Sequence, residues 1–218
     1  MNTKRLTWIL VAAIAVCIFV VLAFVTNSTG RLNPNSLPTQ SESLSISRFH
    51  SVQGTSVFVA TITNDSERST NSSARTFRLD YAVPNLVFLD GDTLSSHTLF
   101  ETNDNTILGL SQFPPPDPNG DVEVKWLVYE VATQDTNSDG AVNSKDRFSI
   151  SVSGVSGLNY AELIVNVGGT YGMDLLGSQV LLLVYETTEG YRVSKIDLEQ
   201  QIILETQVLT QIPLEKMP

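Results

Sequence analysis

Residues 135–146, DTNSDGAVNSKD, carry oxygen-bearing side chains at regular intervals. Asp135, Asn137 and Asp139 alternate along the chain, so their side-chain oxygens can converge on one centre. Gly140 allows a sharp turn that aims the backbone carbonyl of the next residue at the same centre. The pattern predicts a cation site whose ligands are Asp135, Asn137, Asp139, the Ala141 carbonyl, Asn143 directly or through water, and Asp146.

The chemistry of these ligands favours Ca²⁺ over other metals. All of them are hard oxygen donors, whereas Zn²⁺ prefers Cys and His. The only cysteine, Cys17, lies far from this segment, so no thiolate site is expected there. The alternative is an Asp/Asn/Gly-rich turn that reverses the chain without a metal.

The loop is similar to the EF-hand loop and, more closely, to the dockerin calcium loop, because Asn143 and the terminal Asp146 follow the dockerin pattern. Both families place a helix after the loop. Here apolar residues alternate with serines after the loop, which is the two-residue period of a strand. The apolar residues are Phe148, Ile150 and Val152, and the serines are Ser149, Ser151 and Ser153. We therefore expect the loop to connect two strands and the bound calcium to be structural, without calmodulin-like switching.

No residues with the spacing of a catalytic site accompany this loop. His50 and His97 lie far from it, and the chain has no G-x-S-x-G, H-E-x-x-H or glycine-rich phosphate motif. Glu130 and Glu186 recur in two copies of LVYE, which is more typical of structural repeats than of a paired-carboxylate active site. We expect a non-enzymatic protein; the alternative is an envelope hydrolase whose acids come from several sheets.

The elements that carry the loop are predicted to be β-strands. From about residue 43 the apolar residues fall in short runs separated by turn residues, without the 3.6-residue period of a helix. The runs form three sets of four and predict an all-β domain at residues 43–212 with three four-stranded antiparallel sheets. The sets are SLSISRF, VFVATI, NLVFLD and SHTLFE; TILGLSQF, VEVKWLVYEVAT, RFSISVS and YAELIV; and YGMDLL, SQVLLLVYETT, YRVSKIDL and QIILETQVL.

The repeat resembles the blades of TolB-like β-propellers, in which a strand ends in Asp before a polar turn. Asp90 and Asp197 match that aspartate, whereas Ser153 stands at the comparable place in the second set. The resemblance implies blade-like sheets. Propellers close with about four to eight blades, so three blades would form a partial or open arc, or would be completed by a second copy.

The N-terminal residues 1–25 are predicted to be a membrane anchor. Leu6 to Val25 form an unbroken apolar run that would span ~30 Å as a helix. The run is long for a cleaved signal peptide, which is the alternative. Lys4 and Arg5 precede it, so we expect a single-pass protein with a cytoplasmic N-terminus and a periplasmic or extracellular β domain. Residues 26–42, rich in Ser, Thr, Asn and Pro, are predicted to be a flexible linker.

The charge of the chain bears on its partners. With 13 basic and 23 acidic residues the formal net charge is -10, so nucleic acid is not expected as a partner. The open edges of three separate sheets favour a protein partner or self-association. Together these features predict a membrane-tethered, calcium-binding β domain of bacterial envelope type with a structural or protein-interaction role.

Overall fold

The computed structural model describes residues 44–64, 79 and 81–209, and within them the chain is all-β. The described residues form thirteen strands: β1 (Leu44–Ile46), β2 (His50–Ser51), β3 (Val57–Asn64), β4 (Asn85–Asp90), β5 (Ser96–Thr98), β6 (Thr106–Phe113), β7 (Trp126–Ala132), β8 (Phe148–Gly154), β9 (Ala161–Val167), β10 (Gly169–Leu176), β11 (Val180–Thr187), β12 (Gly190–Asp197) and β13 (Ile202–Val208).

The strands form three antiparallel sheets made of consecutive segments of the chain. Sheet 1 has the order β1-β3-β4-β5, with β2 also pairing with β3; sheet 2 has the order β6-β7-β8-β9; and sheet 3 has the order β10-β11-β12-β13. The prediction of three blade-like four-stranded antiparallel sheets is confirmed, with the two-residue β2 as an additional fifth strand of sheet 1. Consecutive four-stranded sheets of this kind are the units from which β-propellers are built.

Side-chain alternation along β7 explains how the sheets stack. Leu127, Tyr129 and Val131 contribute to one core, together with Val59, Leu86 and Phe88 of sheet 1. On the opposite face, Val128 and Ala132 contribute to a second core, together with Leu181, Leu183 and Ile196 of sheet 3. Since successive side chains of a strand point to opposite faces, sheet 2 is buried on both faces and lies between the other two.

A tight contact joins the β8–β9 turn to sheet 1. Gly157 has a φ of +76°, and a Cβ atom at this position would lie 2.4 Å from the Phe88 ring. Glycine is therefore required for two reasons, the left-handed backbone and the ring packed against it.

Two aspartates that motivated the propeller resemblance have equivalent roles. Asp90 accepts hydrogen bonds from the amides of residues 92 and 93 at 2.8 and 3.1 Å. Asp197 accepts them from the amides of residues 199 and 200 at 3.0 and 2.9 Å. Each aspartate thus closes the turn after its strand. Ser153 of sheet 2 instead donates to the Gly154 carbonyl at 2.7 Å, so sheet 2 departs from the pattern as its sequence indicated.

Three predicted segments lie wholly or partly outside the described residues: the anchor at residues 1–25, the linker at residues 26–42, and the two ends of the β domain at residue 43 and residues 210–212. In the part of the chain that is described, no helix has the length and apolar character needed to cross a bilayer.

Candidate metal centre

The predicted calcium loop connects two adjacent antiparallel strands, as its sequence context indicated. It leaves β7 after Ala132 and enters β8 at Phe148. The Thr106 hydroxyl of β6 donates a hydrogen bond to the Val142 carbonyl at 2.9 Å, and the Val142 side chain packs against the core between sheets 2 and 3. The loop is therefore fixed to sheet 2 near its middle as well as at its ends.

Asp135 organises the first half of the loop. One of its carboxylate oxygens accepts the Asp139 amide at 3.1 Å, and the other accepts the Gly140 amide at 2.8 Å. Gly140 has a φ of +92°, which is the left-handed conformation that its predicted role requires.

The oxygens of Asp139 and Ala141 converge on one point. The side-chain amide nitrogen of Asn143 lies 3.2 Å from both carboxylate oxygens of Asp139 and 3.2 Å from the Ala141 carbonyl oxygen. Asn137 also donates to the Asp139 carboxylate, at 3.3 Å. Two of the six predicted ligands, Asp139 and Ala141, thus direct their oxygens at the Asn143 amide nitrogen, and Asn137 contacts the same Asp139 carboxylate.

Asp146 occupies a different environment from the other predicted ligands. It is buried, and one of its oxygens accepts hydrogen bonds from the Thr136 amide at 2.6 Å, the Thr136 hydroxyl at 3.0 Å and the Asn137 amide at 3.1 Å. The other oxygen accepts only the Asn143 amide, at 2.8 Å. A carboxylate oxygen has about two lone-pair directions, so the second oxygen keeps one free for a cation.

Hydrogen bonding favours the charged form of both carboxylates. The pKa of Asp139 is lowered, first by the side-chain hydrogen bond from Asn143 and then by the Ala141 amide. The pKa of Asp146 is lowered, first by the Asn143 amide and then by the amides of Thr136 and Asn137. Anionic carboxylates are the form that binds a cation.

A cation in this loop would depend on amide and carbonyl oxygens as much as on carboxylates. Among the described residues, no group of three or more His, Cys, Asp or Glu side chains lies close enough together to hold a metal. The arrangement that is present combines one Asp139 carboxylate with the Ala141 carbonyl and the amides of Asn137 and Asn143. Rotation of the Asn143 amide by half a turn would direct its oxygen, instead of its nitrogen, at the same point, and would break the hydrogen bond that this oxygen accepts from the Lys145 amide at 2.9 Å.

Thr136 is a loop residue that the sequence pattern did not identify. Its hydroxyl donates to Asp146 and accepts the Arg147 amide at 2.8 Å, which joins the two ends of the loop. The calcium template leaves the second position unspecified, so no sequence signal pointed to this contact.

An open cleft of about 750 Å³ lies beside the loop. Val142, Asn143 and Ser144 line one side of it, and residues 103–106 line another. Asn143 is thus shared between the cleft and the candidate metal centre.

The repeated glutamates do not face a common space. Glu130 accepts a hydrogen bond from the Thr170 hydroxyl, and Glu186 accepts one from the Tyr171 hydroxyl at 2.7 Å. These two donors are neighbours on β10, and the strand pairing places Thr170 opposite the buried Tyr185, so the two glutamates lie on opposite faces of sheet 3. The two histidines are also apart, since His50 lies on β2 beside β3 and His97 lies on β5 beside β4, stacked on Phe88 at 5.6 Å.

No protein-family model matches the chain. No curated protein matches its sequence. The solved beta-propeller domain of the Trilobed protease from Pyrococcus furiosus, which has an open velcro topology, is similar to 78% of this chain with 13% identity and a TM-score of 0.36. This chain spans 44% of the length of that chain.

Proposed function

We propose that this protein is a membrane-tethered, extracytoplasmic β domain that binds one Ca²⁺ for stability and has an interaction role rather than a catalytic one. The observation that carries the proposal is the convergence of the Asp139 and Ala141 oxygens on the Asn143 amide at 3.2 Å. Calcium would be held by Asp139, the Ala141 carbonyl, Asn137, Asn143 and the free lone pair of Asp146, with Asp135 close by. Oxygen ligands of mixed charge are typical of calcium sites.

The role of the ion would be structural because the loop connects two neighbouring strands of one sheet. β7 and β8 are neighbours in sheet 2, and the loop is already held by Thr106 and Thr136. A cation bound to the folded loop adds stability by mass action, about 2.7 kcal/mol when its free concentration is a hundred times the dissociation constant. We therefore expect calcium to change the stability of the domain and not the arrangement of its sheets.

The interaction role is supported by an open edge of sheet 3. Among the described strands, β13 pairs only with β12, and all seven of its residues are exposed. Three consecutive apolar side chains, Ile202, Ile203 and Leu204, are among them. An exposed apolar edge strand is a site at which another chain can add a strand. We propose that the blades form a partial or open propeller of the TolB-like kind. A protein partner or a second copy would cover its open sheet edge.

Two measurements test these proposals. The melting temperature of the full-length chain should rise when calcium replaces a chelator, and Zn²⁺ should not substitute for calcium. Protease added outside intact cells or spheroplasts should degrade the β domain if the anchor at residues 6–25 places it outside. Protection of the domain, or a mature N-terminus near residue 26, would contradict the proposed topology.

A further inference from the structure

A second, smaller cleft, of about 290 Å³, is lined by residues of sheets 2 and 3. Sheet 3 contributes two turns, with Ser178 and Gln179 between β10 and β11 and Glu199 between β12 and β13. Sheet 2 contributes Trp126, which begins β7, and the preceding Lys125. Small-molecule sites have volumes of about 300–1,000 Å³, so this cleft has room for one small ligand.

Trp126 gives the cleft an aromatic wall. Its half-buried side chain packs against the core shared by sheets 2 and 3 and also lines the cleft. Among the described residues, no other aromatic ring packs on the indole. The indole N–H has no hydrogen-bond partner in the same part of the chain and is not buried, so it is a donor that a ligand can reach.

The other four side chains that line the cleft are polar. Within the described chain, the side chains of Lys125, Ser178 and Glu199 make no hydrogen bond or ion pair. Gln179 donates from Nε2 to the Asp197 carboxylate at 3.1 Å, which leaves its Oε1 as an acceptor. Donors and acceptors thus surround one aromatic ring, and one cation with one anion gives the lining no net charge.

Backbone contacts hold these groups in place. Trp126 pairs with Phe113 of β6 and with Gly154 of β8. In sheet 3, the Leu198 amide donates to the Gln179 carbonyl at 3.0 Å, which joins the two turns that line the cleft. A ligand would therefore meet groups that are already positioned, and the entropic cost of ordering them on binding would be small.

The chemistry of the lining suits a neutral sugar. A pyranose ring can lay its C–H groups on a flat aromatic side chain while its hydroxyls point to the surrounding polar groups. Each hydroxyl both donates and accepts, so neighbouring hydroxyls satisfy the acceptor-only carboxylate of Glu199 and the donor-only ammonium of Lys125 together. A ligand with a net charge would be attracted by one of these groups and repelled by the other. A proline-rich peptide suits the cleft less well, because such peptides bind aromatic-lined grooves and this cleft has one aromatic side chain.

We propose that this cleft binds one sugar unit of a neutral glycan, with Trp126 against the ring and the four polar side chains bonded to its hydroxyls. This role goes beyond the calcium binding and protein contacts proposed above. Glycoside hydrolysis canonically uses two carboxyl groups, whereas Glu199 is the only carboxylate that lines the cleft, so the sugar is bound and not cleaved. All five lining residues lie outside residues 135–146, so the sugar site and the metal site can fail independently.

Saturation-transfer difference NMR of the full-length chain tests the proposal, in a polyoxyethylene detergent because this detergent carries no sugar. The probes are the methyl glycosides of glucose, galactose, mannose and N-acetylglucosamine, which differ in hydroxyl orientation and in one acetamido group. At least one of them should bind with a dissociation constant of about 0.1–10 mM, which is weak because the cleft is small and open. Its ring C–H protons should receive the strongest transfer, because they lie against the indole.

Two substitutions in the cleft should weaken this binding. Trp126→Leu keeps an apolar side chain against the core but removes the aromatic face, and should weaken binding at least about tenfold. Glu199→Ala removes an exposed hydrogen-bond acceptor and should weaken binding about three- to tenfold. Tyr171→Leu on β10 and Glu162→Ala on β9 are the matched controls, since each removes an exposed group of the same kind that does not line the cleft. Both controls should bind as wild type does.

Circular dichroism verifies that each variant is folded, and Glu199→Ala keeps the test decisive if Trp126→Leu does not fold. The absence of transfer to all four glycosides at about 50 mM overturns the proposal. Sugar binding that Glu199→Ala and a folded Trp126→Leu leave unchanged also overturns it. So does binding of oligoproline in place of the sugars, since the cleft is then a peptide site.

Discussion

The Tyr129 hydroxyl of β7 lies 2.7 Å from the Ser153 hydroxyl of β8, and the same relationship recurs in sheet 3 between Tyr185 and Ser194 at 3.1 Å. In both sheets the serine lies two residues beyond the residue paired with the tyrosine. Both tyrosines belong to the LVYE repeat and are buried. The repeat therefore preserves a buried polar contact as well as an apolar pattern.

Removing either hydroxyl should destabilise the domain to a similar extent. Tyr129→Phe and Tyr185→Phe each lose one buried hydrogen bond, which corresponds to about 1 kcal/mol in the free energy of unfolding. Each serine keeps another partner, the Gly154 carbonyl for Ser153 and the Thr206 hydroxyl for Ser194. Urea denaturation of both variants and of the double variant measures the losses, and an unchanged midpoint for either would contradict the contact.

Two substitutions separate the stability that comes from packing the β8–β9 turn on sheet 1 from the stability that depends on its left-handed backbone. Gly157→Ala introduces both left-handed strain and a clash with the Phe88 ring. Gly120→Ala is the matched control, with a φ of +83° and nothing within 4 Å of the new Cβ. We expect the control to lose about 1 kcal/mol and Gly157→Ala to lose about 1–3 kcal/mol more. Equal losses in thermal or urea unfolding would show that Phe88 is not packed there.

The hydrogen bonds of the turn-closing aspartate Asp197 predict that the domain loses stability in acid. The pKa of Asp197 is lowered from its ordinary 3.8, first by the Gln200 amide and also by Gln179 and the Glu199 amide. A carboxyl whose pKa is lower in the folded state stabilises that state above the unfolded pKa. This contribution is lost as the pH falls through the folded-state value, below 3.8.

Melting curves of wild type and Asp197→Asn in a chelator, from about pH 6 to pH 2, measure this contribution. The variant should melt lower than wild type near neutral pH, and the difference should shrink below about pH 3.8. Asp92→Asn removes an exposed carboxylate of the β4–β5 turn and should follow the wild-type curve. Parallel curves for wild type and Asp197→Asn would contradict the role of this aspartate.

Much of the sheet architecture was predictable because period-two alternation and turn residues are local signals. The sequence placed β7 and β11 by their LVYE copies and the 135–146 loop between two strands. It also predicted a strand from Val122, whereas β7 begins at Trp126. The reason is tertiary: the Val124 amide donates to the Gln53 carbonyl and the Gln53 side chain donates to the Val122 carbonyl, so this segment is held by the turn between β2 and β3.

The residues of the candidate site were predictable, but the different contacts that its two carboxylates make were not. The template treats Asp139 and Asp146 alike as ligands. In the structure Asp146 is buried and mostly engaged by backbone amides, whereas Asp139 is exposed and faces the amide of Asn143. Which carboxylate turns to the backbone depends on the path of the chain around Thr136, which spacing alone does not specify.

Calorimetric titration of the full-length chain with Ca²⁺ tests the central proposal most directly. Asp139→Ala removes the carboxylate at the convergence point, and Asp92→Ala removes one equivalent charge from an exposed turn outside the loop. The proposed site predicts one calcium per chain for wild type and Asp92→Ala, with binding lost or weakened at least about tenfold in Asp139→Ala. No binding by wild type at about 1 mM calcium, or equal binding by wild type and Asp139→Ala, would contradict it and leave residues 135–146 as a turn.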